Sequence, residues 1–120
     1  MHTKFVPDWD KLGSVERGYV EGIIDRSLSR LKMERLDLVQ FHWWNYAAPG
    51  AAETALILRD LQKAGKIDRI GATNFDTPHT KALVEAGVPL ASMQIQYSLL
   101  DPRAENGMVQ LAREKGFGIL

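Results

Sequence analysis

Apolar positions follow two alternating rhythms along the chain: short, nearly continuous runs, and longer stretches in which they recur every three or four residues. The short runs read as strands at His2–Val6, Leu36–Phe41, Ile67–Ala72, Ser92–Tyr97 and Phe117–Leu120. The second of these, LDLVQF, is apolar at almost every position, which suits a strand buried on both faces of a parallel sheet. The in-out alternation of a half-exposed antiparallel strand is missing from it.

The longer stretches read as amphipathic helices. From Ser14 to Lys32, Val20, Ile24, Leu28 and Leu31 form one stripe, while Glu21, Arg26 and Arg30 fall elsewhere; Ser14 is the expected N-cap, with Glu16 in the first turn. From Ala51 to Ala64, Thr54, Leu58 and Leu61 share a side, and Gly65 follows where a left-handed residue closes a helix. Thr77 before Pro78 reads as an N-cap and first helical position for a helix that stops at Gly87. A last helix starts between Ala104 and Gly107 and runs to Lys115, with Gly116 behind it.

Strand and helix therefore alternate, with five strands and four helices in 120 residues, the βαβα order of an α/β fold with a parallel sheet. A doubly wound sheet and a (β/α)8 TIM barrel both satisfy that order. Neither GxGxxG nor GxxxxGK[ST] follows any strand, which favours the barrel over the nucleotide-binding doubly wound folds. A whole barrel takes about 250 residues, so this chain is expected to be part of one, with open sheet edges that invite association. Sedimentation of the isolated 120-residue polypeptide should therefore show self-association or poor solubility; a monodisperse, cooperatively melting monomer would contradict this.

Composition adds exclusions. Fifteen Lys and Arg balance fifteen Asp and Glu, so no basic field exists to attract nucleic acid. No cysteine is present, no run of 18 apolar residues occurs, and the residues after Met1 lack the apolar segment of a secretory signal. These features lead to the expectation of a cytoplasmic protein with neither a membrane nor a nucleic-acid partner.

In barrels the chemistry gathers at the C-terminal ends of the strands. The polar residues there are Lys4, His42, Thr73 with Asn74, and Gln94 or Gln96. Each has a bland reading: Lys4 as a solvated terminal lysine, His42 as a hydrogen-bonded packing residue, Asn74 as a turn cap. Trp43 and Trp44 serve equally as wall packing or as a substrate pocket. A metal-dependent hydrolase built on His42 needs further ligands at strand ends, and only His2 and His79 remain, neither well placed; no metal is expected.

Taken together, HTKF, LDLVQFHW, GKIDRIGATNF and MQIQYSLL occur in an order and spacing that resembles the aldo-keto reductases across essentially the whole chain. The resemblance implies strands three to seven of that family's barrel, an NADP(H) cofactor and a carbonyl or alcohol substrate. It makes Lys4 and His42 the catalytic lysine and histidine, gives Thr73, Asn74 and Gln94 the nicotinamide carboxamide, and leaves Trp43 and Trp44 to the substrate pocket. Thr73 stands where the family usually has serine, keeping the hydroxyl, and Asp68 replaces the common arginine of the GKIR run. The family's catalytic tyrosine and aspartate lie upstream of its lysine, where this chain has only Met1, His2 and Thr3, so the isolated chain is expected to be inactive. Tyr46, four residues past His42, fits a pocket wall better than a substitute acid. The alternative is a cofactor-binding regulatory subunit of the same fold without catalysis.

Overall fold

In a computed structural model, all 120 residues are described. The elements are β1 (His2–Phe5), α1 (Arg17–Leu31), β2 (Leu36–Phe41), α2 (Ala51–Lys63), β3 (Ile67–Thr73), α3 (Thr77–Glu85), β4 (Leu90–Gln94), α4 (Met108–Lys115) and β5 (Gly118–Ile119). The strands pair in chain order, β1-β2-β3-β4-β5, and every pair is parallel. A doubly wound sheet would reverse direction at a switch point. Unbroken order combined with right-handed crossovers puts every helix on the same face, which is the arrangement of a (β/α)8 barrel. The barrel is not closed in this chain, and β1 and β5 are open edges. No helix is long and apolar enough to cross a membrane.

Cross-strand partners in a parallel sheet share a face, so the register sorts the side chains. Phe5, Phe41, Ala72 and Met93 form one row, at most 1% exposed, on the helix-covered face. Val20 and Ile24 of α1, Leu58 and Leu61 of α2, Leu83 of α3 and Leu111 of α4 belong to the same core. Each such side chain contributes about 1.5–3 kcal/mol when removed from water. The adjacent row, Lys4, Gln40, Gly71, Ser92 and Gly118, lies on the opposite face and is polar or small throughout.

Gly71 is needed there for space. A Cβ at this position would come within 2.6 Å of Ser92 Oγ, 3.3 Å of Ser92 O and 3.4 Å of Leu38 Cδ1. The hydroxyl can rotate away but the carbonyl cannot. Gly71→Val is expected to lower stability by about 1–3 kcal/mol in a urea titration, as overpacking does; an unchanged midpoint would show that β3 and β4 part without cost.

Several boundaries differ from the sequence expectation, most by a single residue. Ser14 does not cap α1: its hydroxyl bonds Lys11 O at 3.2 Å, closing the 3-10 turn Trp9–Lys11, and Glu16 occupies the N-cap position with extended backbone. Asp76, not Thr77, caps α3, accepting from His79 N at 2.8 Å, and Pro78 falls one position later, still inside the first turn where its missing N–H is harmless. β4 starts at Leu90 and ends at Gln94 rather than spanning Ser92–Tyr97. A register irregularity between Ile70 and Gly71 lets Leu90 join β3, and just past the end of β4 the Ile95 N–H still bonds Leu120 O at 3.1 Å.

Candidate active site

Two residues beyond the Lys4–Gln40–Gly71–Ser92 row, on the same face and at the C-terminal strand ends, come His42, Thr73 and Gln94. His42 continues β2 directly: its N–H bonds Phe5 O at 3.1 Å, keeping it in the β1–β2 ladder. The ring is held on two sides. His42 Nδ1 lies 2.9 Å from Thr73 O, and the Trp44 ring meets it edge-on at 4.9 Å and 82°. Because a carbonyl oxygen only accepts, Nδ1 carries the proton, and Nε2 is the nitrogen left to address anything above the sheet. Trp44 is itself anchored, its Nε1 donating to Pro7 O at 2.9 Å across the loops that follow β1 and β2.

Lys4 is exposed and sits on the neighbouring strand one row below His42. Sheet spacings put their Cα atoms roughly 8 Å apart, close enough for a long ammonium side chain to share one pocket with the imidazole.

Thr73 ends β3 and is 5% exposed, yet its Oγ1 has no hydrogen-bond partner; the same holds for Ser92 Oγ in the row below. A buried hydroxyl left unpaired costs about 1–3 kcal/mol, so these two oxygens mark a place where a polar group from elsewhere would be favourable. Asn74 follows with an exposed side chain and a left-handed backbone, φ 57°, its N–H donating to Gln94 O at 2.9 Å. Gln94, half-buried, completes the set. A hydroxyl and two carboxamides offer both donors and acceptors, which is what a planar carboxamide ligand such as that of nicotinamide needs. The residues present therefore fit that group.

Of the positions singled out from the sequence, His42, Thr73 and Gln94 thus share one face at the C-terminal strand ends, with Lys4 one row below on that face, while Asn74 follows Thr73 and lines the adjoining cavity with Tyr46 and Gln96. Trp44 is half-exposed beside them and lines a surface cleft with Val6, Pro7 and Trp9. Trp43 is a correction. It is 2% exposed, packs against Phe41 with centroids 6.0 Å apart and rings tilted by 59°, donates from Nε1 to Ala48 O at 3.2 Å, and so belongs to the core rather than to a substrate pocket. The β2 alternation explains this: Trp43 shares parity with Phe41, and Trp44 with His42.

Ser92 was not among the sequence candidates. Its signal was available, since it stands two residues before Gln94 on one strand and so shares its face. Tyr46 lines an open cavity of about 410 Å³ beyond Asn74, together with Asp76, Gln96 and Arg103. Its hydroxyl donates to Asn74 O at 3.0 Å, so it is engaged with the backbone and is not poised as an acid.

The sequence model of the aldo/keto reductase family matches residues 1–120. A protein named NADH-specific methylglyoxal reductase, from Escherichia coli, is 37% identical over 93 residues, covering 75% of this chain and 28% of that one. The aldo-keto reductase YhdN of Bacillus subtilis is 30% identical over 115 residues, 93% of this chain and 34% of its own length. Among solved structures, the holo form of aldo-keto reductase AKR11C1 from Bacillus halodurans superposes with a TM-score of 0.81 at 28% identity, covering 98% of this chain and 38% of that one. The chain spans about a third of the length of the curated relatives it matches.

Proposed function

Since the chain belongs to the aldo/keto reductase family, we propose that the protein carrying it reduces an aldehyde or ketone to the alcohol with NAD(P)H. When bound, the nicotinamide supplies the hydride. The residues of this chain bind, orient and stabilise. Thr73 Oγ1, Asn74 and Gln94 take the carboxamide and fix which ring face looks towards the substrate. His42 Nε2 faces the substrate oxygen. With Nδ1–H committed to Thr73 O, donation from Nε2 requires the doubly protonated ring, which adds a positive charge where the carbonyl oxygen becomes negative. Lys4 places an ammonium in the same pocket and lowers the pKa of any phenol brought beside it. By the family resemblance a tyrosine supplies the proton, with Lys4 and His42 assisting it.

The observation that carries this reading is the His42 Nδ1–Thr73 O bond, which locks the would-be catalytic ring onto the residue bearing the unpaired hydroxyl. Preference between the two nucleotides is not a family constant, given a 37% identical relative whose name specifies NADH. The test is a titration of the whole reading frame's product with NADPH and NADH, following quenching of tryptophan fluorescence, and then a panel of aldehydes and ketones. Saturable quenching by at least one nucleotide with carbonyl-dependent oxidation supports the proposal. Quenching without turnover of any carbonyl supports the regulatory alternative instead, and no quenching by either nucleotide defeats both.

A further inference from the structure

Asn74 must hold an unusual backbone conformation to offer its side chain to a ligand, and a separate loop supplies what keeps it there. Its φ of 57° lies in the left-handed region, which asparagine enters more readily than other non-glycine residues but which a bond to its own carbonyl still helps to fix. Tyr46 stands in the loop between β2 and α2, 28 residues earlier in the chain. Its hydroxyl spans the turn after β3: it donates to Asn74 O at 3.0 Å and accepts from Asp76 N at 3.1 Å. One oxygen thus satisfies the carbonyl of the left-handed residue and the N–H of the α3 cap.

The phenol ring is itself held. The His79 ring stacks on it at 3.7 Å and 9°, and His79 is tied to the cap residue, its Nδ1 2.6 Å from Asp76 Oδ1. On the other side Tyr46 meets Phe75 at 5.8 Å, and Phe75 is buried against Phe41. Burial pushes the Tyr46 phenol up, with the Asp76 carboxylate adding to the rise and the Asp76 N–H bond opposing it, so the proton needed for Asn74 O is retained at neutral pH.

We infer that Tyr46 is a positioning residue for the cofactor site: by bridging Asn74 O and Asp76 N it holds the left-handed turn from which Asn74 reaches the nicotinamide carboxamide. This rests on the cofactor reading above, and it assigns Tyr46 no contact with cofactor or substrate. Removing the hydroxyl leaves the ring stack and the core intact but frees the turn.

The test compares the parent whole-frame protein with Tyr46→Phe, and with Tyr97→Phe as a control that also deletes one phenol hydrogen bond, to Glu105 at 2.8 Å. Tyr46→Phe is expected to raise the NADPH or NADH dissociation constant roughly three- to twentyfold, the effect of losing one or two neutral hydrogen bonds. The carbonyl KM at saturating nucleotide should stay within twofold, and amide exchange across residues 74–79 should accelerate without nucleotide. Tyr97→Phe should leave nucleotide affinity unchanged. Equal affinities for parent and Tyr46→Phe overturn the inference, as does an equal loss in Tyr97→Phe. If Tyr46→Phe does not fold, His79→Ala, which removes the stacked ring but spares the hydroxyl, takes its place: at least a twofold loss of affinity supports the role and none overturns it. A parent that binds neither nucleotide overturns the cofactor reading itself, which distinguishes that failure from failure of the Tyr46 role alone.

Discussion

Replacing His42 with alanine is expected to lower kcat/KM for the proposed carbonyl reduction by about two to three orders of magnitude, the usual size of a positioned donor or charge at a developing oxyanion. The ring is half-buried and outside the apolar core, so its loss should not unfold the protein. What disappears is the Nε2 that Thr73 O orients through Nδ1, together with an edge contact to Trp44. Nucleotide affinity should change little, because Thr73, Asn74 and Gln94 remain. His42→Gln, which keeps an amide donor at a similar reach but no charge, should recover only part of the rate. Steady-state kinetics of the whole-frame protein, with circular dichroism to confirm folding, check both. A His42→Ala enzyme within threefold of the parent would reduce the residue to a packing histidine.

Phe41→Ala should have the largest effect on stability, about 3–5 kcal/mol, against a typical total of about 5–15 kcal/mol for a domain. Phe41 is 1% exposed and is the hub of an aromatic cluster, with ring centroids 6.1 Å from Phe5, 6.0 Å from Trp43 and 5.5 Å from Phe75. Two of those neighbours are sequence-adjacent to site residues, Trp43 to His42 and Phe75 to Asn74. Truncation therefore leaves a cavity beside Trp43 and Phe75, the core residues next in the chain to His42 and Asn74. Urea denaturation should show the loss, and nucleotide affinity should fall with it. Phe41→Leu, which refills most of the space, should cost clearly less. A Phe41→Ala midpoint close to the parent's would mean that the cluster is not the support of the site.

How far the sequence discloses this arrangement depends on the reach of the interaction concerned. The strand Leu36–Phe41 is legible because burial on both faces makes the run itself apolar, and α2 ends where Gly65 says it should, with φ 84°. Helix starts are less legible, since several residues able to cap stand side by side: Asp76 and Thr77 compete, and the winner is set by which side chain meets His79 N. The choice between barrel and doubly wound sheet is a matter of strand order, to which local periodicity is blind. His42, Thr73, Asn74 and Gln94 emerge from the sequence because each sits where a strand gives way to a loop, and Lys4 because it is the charged residue near the end of β1.

Other features of the site do not emerge in that way. The bond from His42 to Thr73 joins residues 31 apart, and the one from Tyr46 to Asn74 joins residues 28 apart, so both depend on cross-strand register. The Gly71–Ser92 approach likewise follows only from the β3–β4 pairing. Trp43 and Trp44 look equivalent in the sequence. Only strand parity separates the core ring from the one beside the imidazole.

The proposed hydride transfer is tested directly by supplying the whole-frame protein with NADPH or NADH carrying deuterium at both hydrogens of the reactive ring carbon and an accepted aldehyde or ketone, and then analysing the alcohol by mass spectrometry. One deuterium is expected on the former carbonyl carbon for each nucleotide oxidised, with the yield abolished or nearly so in His42→Ala. Nucleotide oxidised without label in the alcohol, or no alcohol from any carbonyl tried, would contradict the proposed transfer.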